Sequence, residues 1–105
     1  MPASAPFTKV ANTEALGAEV VQAGATFADA VAVAERLVGE RGLTMVHPYD
    51  DPAVIAGQGT VAVELLDDVD GIDTLLVPVG GGGLLAGIAA YARAVRPDIE
   101  LVGVQ

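Results

Sequence analysis

The sequence predicts an α/β fold, an open parallel sheet in three layers with helices on both faces. One observation is that helix-type and strand-type segments alternate along the chain, the pattern of right-handed crossovers between parallel strands. Another is that hydrophobic residues make up 52% of the 105 residues while aromatic residues make up only 4%. The apolar side chains are therefore mainly aliphatic, as in parallel strands buried between closely packed helices.

Four helices and four strands are predicted, in alternation from the N-terminus. The helices are Phe7–Leu16, Phe27–Arg41, Pro52–Asp67 and a segment that begins at Leu84 and stops before Pro97. The strands are Ala18–Val21, Leu43–Val46, Thr74–Val79 and Ile99–Val104. Gly17 ends the first helix, and the short apolar run after it is of strand type. Thr26 is suited to cap the second helix, whose apolar residues recur on one face, and Gly42 to follow its last turn.

Proline and glycine mark the elements of the second half of the chain. A loop rich in proline and aspartate precedes the third helix, with Asp51 as N-cap and Pro52 as the first helical residue. Gly57 and Gly59 weaken that helix, so we expect something to approach its backbone closely there. Thr74–Val79 has no polar interruption after its first residue, which predicts a strand buried on both faces. The last helix and the last strand follow from their apolar spacing.

Charge and cysteine content exclude several classes of protein. Five Lys and Arg against fourteen Asp and Glu give a net charge of −9, so we expect no nucleic-acid or membrane partner. Without cysteine there is no disulfide framework, thiolate metal site or cysteine nucleophile. The N-terminus has no signal-peptide pattern, so a cytoplasmic location is expected. The uncharged stretch Thr74–Ala92 is long enough to span a bilayer, but its consecutive glycines and Pro78 argue against a membrane helix.

The most informative motif is the run of four glycines, Gly80–Gly83, between a predicted strand and a predicted helix. Glycine lets peptide N–H groups approach a ligand, and a helix N-terminus adds unpaired donors and about half a positive charge. Together these features predict an anion site, most naturally for a phosphate group. Leu84 and Leu85 follow the glycines, so the lysine and the metal-binding hydroxyl of a nucleotide P-loop are missing.

Three interpretations of the glycine run stay open. The spacing Gly81-x-Gly83-x-x-Ala86 satisfies a dinucleotide fingerprint. The end of the next strand, however, has Val104 and Gln105 where an acidic residue would hold a ribose. A single phosphate monoester fits better, because the loop has no Lys or Arg. A tight turn without any ligand is the third interpretation.

His47 and Tyr49 are the candidate functional side chains outside the glycine run. They follow the predicted strand Leu43–Val46 as the glycines follow Thr74–Val79. Ligands of open parallel sheets lie beyond the carboxyl ends of the strands, so both loops could line one crevice. His47 is more simply a loop histidine bonded to backbone than a catalytic group. For Tyr49, a packing role and stacking near a planar ligand are both open.

Five stretches of the chain form a familiar series. They are Pro2–Lys9, Gly17–Val21, His47–Pro52, Val54–Thr60 and Val77–Leu84. In this order and spacing the series resembles the pyridoxal-phosphate-dependent threonine and serine dehydratases, including serine racemase, of the fold type II class. The resemblance covers essentially the whole chain. It implies that the predicted sheet is part of the fold type II architecture and that the cofactor is pyridoxal 5′-phosphate.

The resemblance also implies an activity, a threonine or serine ammonia-lyase that deaminates L-threonine to 2-oxobutanoate and ammonia by α,β-elimination. The residues that it assigns to the cofactor phosphate are Gly80, Gly81, Gly82, Gly83 and Leu84, and those near the cofactor ring are His47 and Tyr49. Residues 1–42 correspond to part of the small, mobile domain and residues 43–105 to part of the large cofactor-binding domain. The implied partner is L-threonine or L-serine, in a full-length enzyme expected to be a homo-oligomer.

The chain departs from the family pattern in ways that limit these expectations. The lysine that forms the Schiff base with the cofactor lies in a family segment absent here, and the only lysine, Lys9, matches a helix position of the small domain. No catalytic residue is therefore assigned. Gln105 stands where many relatives have a metal-binding glutamate, so no metal ligand is assigned either. Gln105 also directly follows a strand expected to be buried, so we expect an internal fragment that is inactive alone.

Several alternatives to threonine dehydratase stay open. Serine racemase belongs to the same family, and the discriminating residues lie outside this chain, as do those that separate the biosynthetic dehydratases of isoleucine biosynthesis from the catabolic ones. A small non-catalytic phosphate- or dinucleotide-binding module would use the same loop without lysine chemistry. A structural fragment without any ligand would tolerate Gly81→Val.

Overall fold

The chain forms four helices and two strands, and the predicted alternation of helix and strand holds only from the third helix onward. The helices are α1 (Phe7–Ala15), α2 (Phe27–Arg41), α3 (Pro52–Asp68) and α4 (Gly83–Val95), and the strands are β1 (Thr74–Pro78) and β2 (Glu100–Val104). The computed structural model describes all 105 residues, which form two compact units, Met1–Met45 and Val46–Gln105. All four predicted helices are confirmed. None of them combines the length and the apolar composition that a membrane crossing requires.

Helix α2, in the first unit, is fixed at both ends by residues that the sequence predicts. The Thr26 hydroxyl accepts a hydrogen bond from the Asp29 amide at 3.2 Å, and the Asp29 carboxylate accepts one from the Thr26 amide at 2.9 Å. Hydrogen bonds from Thr26, its backbone first, and from the Ala25 backbone hold the pKa of the Asp29 carboxyl below its ordinary value. At the other end, Gly42 has a φ of +64°, which glycine adopts without strain.

Two predicted strands, Ala18–Val21 and Leu43–Val46, are wrong, because neither segment forms a strand. Near the first, three backbone hydrogen bonds of 2.7, 2.8 and 2.9 Å join Met1–Ala3 to the segment Val21–Gly24. This pairing is too short to make a ladder, and Leu43–Val46 pairs with no strand of the chain. Apolar patterning reports what a segment prefers, whereas a strand also requires a neighbour along its length to satisfy its backbone groups.

The second unit is built on a two-stranded parallel sheet in which helix α4 connects β1 to β2. The register runs from the pair Thr74 and Glu100 to the pair Pro78 and Val104. The core of this unit joins α3, β1 and α4 through Ala62, Val77 and Ile88, with Leu75, Leu84, Leu85, Tyr91 and Leu101 packed around them. Both predicted strands of this unit are thereby confirmed.

One face of this sheet is open to solvent. Leu76 is 69% exposed and Val104 is 51% exposed, whereas Val77, which points to the other face, is 3% exposed. The prediction that Thr74–Val79 is buried on both faces is therefore wrong for this chain, because its own helices cover one side only. The predicted fold class is confirmed, and the helices of the second unit form one of its two helical layers.

Helices α3 and α4 make a backbone-to-backbone contact at two glycines. A Cβ atom on Gly59 would lie 3.0 Å from the Gly87 carbonyl oxygen. The close approach expected from the sequence is thus confirmed at Gly59, and its cause is α4. The same expectation is wrong for Gly57, where a Cβ atom would meet nothing within 4 Å. This contact sets the position of α4, and the glycine run leads into the N-terminus of that helix.

Candidate anion-binding site

The glycine loop, Gly80–Gly83, leads from β1 into α4 and leaves a series of amides without a partner. None of the amide N–H groups from Gly80 to Leu84 donates a hydrogen bond within the chain. Gly82 is the N-cap of α4, and no side chain caps this helix. Unpaired amides at a helix N-terminus carry about half a positive charge. The glycine loop is therefore an array of donors suited to an anion.

The four glycines divide into two pairs according to the space beside them. At Gly80 and Gly82 a Cβ atom would meet nothing within 4 Å. At Gly81 a Cβ atom would overlap the ring of Tyr49, and at Gly83 it would lie 2.6 Å from the Tyr49 carbonyl oxygen. Only Gly82 of the four has a left-handed backbone, with a φ of +91°. A phosphate group fits the open side of the loop, beside Gly80 and Gly82.

The segment before α3 is held in place by His47. Its Nδ1 atom accepts hydrogen bonds from the amides of Asp50, at 2.7 Å, and Tyr49, at 3.4 Å. The rings of His47 and Tyr49 meet edge to face, with centroids 4.8 Å apart and planes at 83°. Asp51 caps α3 through its side chain and Pro52 begins the helix, as the sequence predicts. His47 is thus bonded to backbone, the simpler of its two sequence interpretations.

The second unit offers no cationic side chain to the glycine loop. Arg93 and Arg96 are the only Lys or Arg residues of the second unit, and both lie at the opposite end of α4. Arg93 donates to the Pro97 carbonyl oxygen at 2.9 Å, and Arg96 pairs with Asp98 at 2.9 Å. The hydrogen bond between Arg96 and Asp98 raises the pKa of the arginine and lowers that of the carboxyl. Within the second unit, an anion at the glycine loop would therefore be held by amide donors and the helix end, without a cationic side chain.

Another concave surface of the second unit lies between α3 and α4. It is an open groove of about 500 Å³ lined mainly by apolar side chains and helix backbone, including Ile55, Val63, Ala90 and Tyr91. It has no charged side chain and no unpaired helix terminus, so it offers nothing to an anion. No group of three or more His, Asp or Glu side chains is arranged to hold a metal ion.

The fold and the glycine loop together define a class of protein. The chain matches the family model described as pyridoxal-phosphate dependent enzyme over residues 1–105, and it belongs to that family. The cofactor of the family is the one that the sequence motifs predict. The residues present fit its phosphate, because the amides from Gly80 to Leu84 are unpaired and the space beside Gly80 and Gly82 is open.

The individual proteins that the chain resembles include amino-acid dehydratases and a racemase. The chain is 53% identical over 109 residues to the biosynthetic L-threonine dehydratase of Burkholderia multivorans, covering 100% of this chain and 22% of the relative. It is 48% identical over 105 residues to the catabolic L-threonine dehydratase of Staphylococcus aureus, covering 100% of this chain and 30% of the relative. The structure of maize serine racemase superposes with a TM-score of 0.94 at 38% identity, covering 99% of this chain and 32% of that one. The chain therefore spans less than a third of these proteins.

The structure brings the two candidate loops together, as the sequence predicts, but for a different reason. The expected crevice depended on a strand at Leu43–Val46, which does not form. Tyr49 instead lies directly on Gly81 and Gly83. No signal in the sequence singles out Gly81 and Gly83 from the other two glycines of the run. Cofactor binding at Gly80 to Leu84 stays a prediction.

Proposed function

We propose that this chain supplies the phosphate-binding glycine loop of a pyridoxal-phosphate-dependent L-threonine dehydratase. The reaction is the deamination of L-threonine to 2-oxobutanoate and ammonia by α,β-elimination. The observation that carries the proposal is the series of unpaired amides from Gly80 to Leu84 at the start of α4, with open space beside Gly80 and Gly82. The identity to two L-threonine dehydratases over the whole chain supports the choice of reaction.

The glycine loop has one task in this reaction, which is to hold and orient the cofactor phosphate. The amides donate to the phosphate oxygens, and the N-terminus of α4 adds its partial positive charge. Pyridoxal phosphate, when bound, supplies an electron sink for the negative charge left at the substrate α-carbon after proton removal. The β-hydroxyl is the leaving group. His47 and Tyr49 are proposed to lie near the cofactor ring, on the side of the glycine loop that Tyr49 contacts.

The covalent attachment of the cofactor is not assigned to this chain. Lys9 is its only lysine and belongs to α1, in the unit Met1–Met45. We assign residues 1–42 to the small, mobile domain and residues 43–105 to the large cofactor-binding domain. The isolated chain is accordingly proposed to bind at most the phosphate end of the cofactor and to catalyse nothing, and L-threonine and other subunits are partners of the enzyme that carries it.

A titration tests the cofactor assignment directly. Pyridoxamine phosphate is added to the 105-residue chain and followed by phosphorus NMR, since the amine form cannot react with Lys9 or the N-terminus. Saturable binding is expected, with loss in Gly80→Val, whose side chain fills the open space. Gly57→Val is the matched control, because Gly57 also faces open space but lies in α3. Equal binding by the two variants, or no binding by a folded wild-type chain, contradicts the assignment.

Two other candidate functions use the same loop. Serine racemase is favoured by the likeness to the maize enzyme. Incubating the enzyme that carries this chain with L-serine distinguishes them, because racemisation yields D-serine whereas elimination yields pyruvate and ammonia. A dinucleotide-binding module is favoured by the spacing of Gly81, Gly83 and Ala86, and it predicts that NAD binds more tightly than pyridoxamine phosphate.

A further inference from the structure

The ring and backbone of Tyr49 occupy the space beside two of the four glycines. A Cβ atom on Gly81 would overlap Cγ and Cδ1 of the ring, and one on Gly83 would lie 3.0 Å from the Tyr49 Cα atom. We propose that Tyr49 is the positioning residue of the glycine loop. Gly81 and Gly83 make room for Tyr49, and Gly80 and Gly82 make room for the phosphate. This inference deepens the proposed function and rests on it for the identity of the ligand.

Backbone conformation does not explain the glycines at 81 and 83. Neither has a left-handed φ, so an alanine would be accommodated there by the backbone itself. What prevents a side chain is the contact with Tyr49. At Gly83 the obstacle is the main chain of Tyr49, which cannot move independently of its neighbours. At Gly81 the obstacle is the ring of Tyr49, which can rotate away. Substitution of Gly81 therefore displaces Tyr49 and leaves the rest of the fold in place.

The backbone of Tyr49 is itself held in place by its neighbours. The His47 imidazole packs edge-on against its ring and accepts the backbone amides of Tyr49 and Asp50. On the other side, the Asp51 side chain caps α3 by accepting two amides at 2.8 and 3.2 Å. The segment from His47 to Asp51, which we call the brace, is thus fixed by hydrogen bonds at both ends. It presents one aromatic ring to Gly81, and no hydrogen bond of the ring hydroxyl is formed within the chain.

In this arrangement the ring of Tyr49, and not its hydroxyl, fixes the position of Gly81. With the ring present, Gly81 has one position, and the amides on either side of it keep a fixed direction toward the phosphate. Without the ring, the loop is free to move on that side. Tyr49→Phe should therefore keep the contact with Gly81, and Tyr49→Ala should lose it and bind phosphate more weakly.

The first test needs no ligand. Protons above an aromatic ring are shifted upfield, so the Gly81 Hα resonances of the wild-type chain should be displaced from their usual range. The displacement is expected to persist in Tyr49→Phe and to vanish in Tyr49→Ala. Gly81 resonances that are the same in Tyr49→Ala as in the wild type would overturn the proposal.

The second test is a double-mutant comparison of pyridoxamine phosphate affinity, measured by phosphorus NMR. Gly81→Ala should weaken binding about tenfold in the wild type, and less than about twofold when Tyr49 is already alanine, because the two residues are coupled by contact. The same loss in both backgrounds would mean that Gly81 faces the phosphate, and would overturn the proposal. If the folded wild type binds no ligand, the proposed function fails, while the Gly81 resonances still decide the role of Tyr49.

Discussion

Gly87 of α4 lies against the backbone of Gly59 in α3, and this contact sets the distance between the two helices. A Cβ atom on Gly87 would lie 2.6 Å from the Gly59 nitrogen and would overlap the Ile55 carbonyl oxygen. Both obstacles are backbone atoms, so a side chain at this point can be accommodated only by moving a helix. Because α4 begins with the glycine loop, the contact also fixes where the unpaired amides are presented.

Gly87→Ala should lower the free energy of unfolding by about 1 to 3 kcal/mol, the usual cost of overpacking a core. Urea denaturation measures the effect. Gly57→Ala is the matched control, since Gly57 faces open space in α3 and alanine is the better helix former by about 1 kcal/mol. The control should be neutral or stabilising. Equal destabilisation by the two substitutions would contradict the contact.

The capping box of α2 predicts a loss of stability in acid. The pKa of Asp29 in the folded chain is below its ordinary value of 3.8. Its contribution to stability is therefore fully present above pH 3.8 and is lost as the pH falls through the lower, folded pKa. Carbon NMR of the Asp29 carboxyl measures that pKa, and Asp29→Asn should abolish this part of the pH dependence. A carboxyl that titrates at 3.8 or higher in the folded chain would refute it.

The open face of the sheet predicts self-association of the isolated chain. Leu76, at 69% exposed, and Val104, at 51%, place apolar area on an unprotected parallel sheet. Sedimentation velocity should show a mass that increases with concentration, and Leu76→Thr should reduce it, since threonine is polar but, being β-branched, suits a strand. Val95→Thr, on an exposed position of α4, is the control. A wild-type chain that stays monomeric at all concentrations would be inconsistent with this account.

His47 should protect the Asp50 amide from hydrogen exchange, because its Nδ1 atom accepts that N–H at 2.7 Å. His47→Phe keeps an aromatic ring beside Tyr49 but has no acceptor, so exchange at Asp50 should become faster. His47→Asn offers a side-chain oxygen near the same place and should restore part of the protection. Exchange followed by NMR tests this, and unchanged Asp50 protection in His47→Phe would show that the brace does not depend on the imidazole.

Local signals in the sequence predict the helices well and the strands only in part. Thr26 and Gly42 mark the ends of α2, and Asp51 marks the start of α3, because capping is decided by residues within one turn. Ala18–Val21 has the same apolar character as the confirmed strands. It forms no strand because pairing depends on a neighbour that no local pattern reports.

The candidate site, like the fold, could be predicted from the sequence only in part. The glycine loop is evident from the sequence, since a strand, four glycines and a helix follow one another directly. The contact of Tyr49 with Gly81 is not evident, because it joins residues far apart in the chain and depends on how closely α3 and α4 approach at Gly59. That approach is a property of backbone packing, and the sequence indicated only that something would lie near the glycine.

The most direct test of the central claim is to map pyridoxamine phosphate binding on the backbone amides of the isotope-labelled chain. The account predicts saturable shifts of the amide protons, largest from Gly80 to Leu84, with the groove between α3 and α4 unaffected. Saturable shifts centred on the groove residues Ile55 and Tyr91, or none at Gly80 to Leu84 in a folded chain, would contradict the claim that this loop binds the cofactor phosphate.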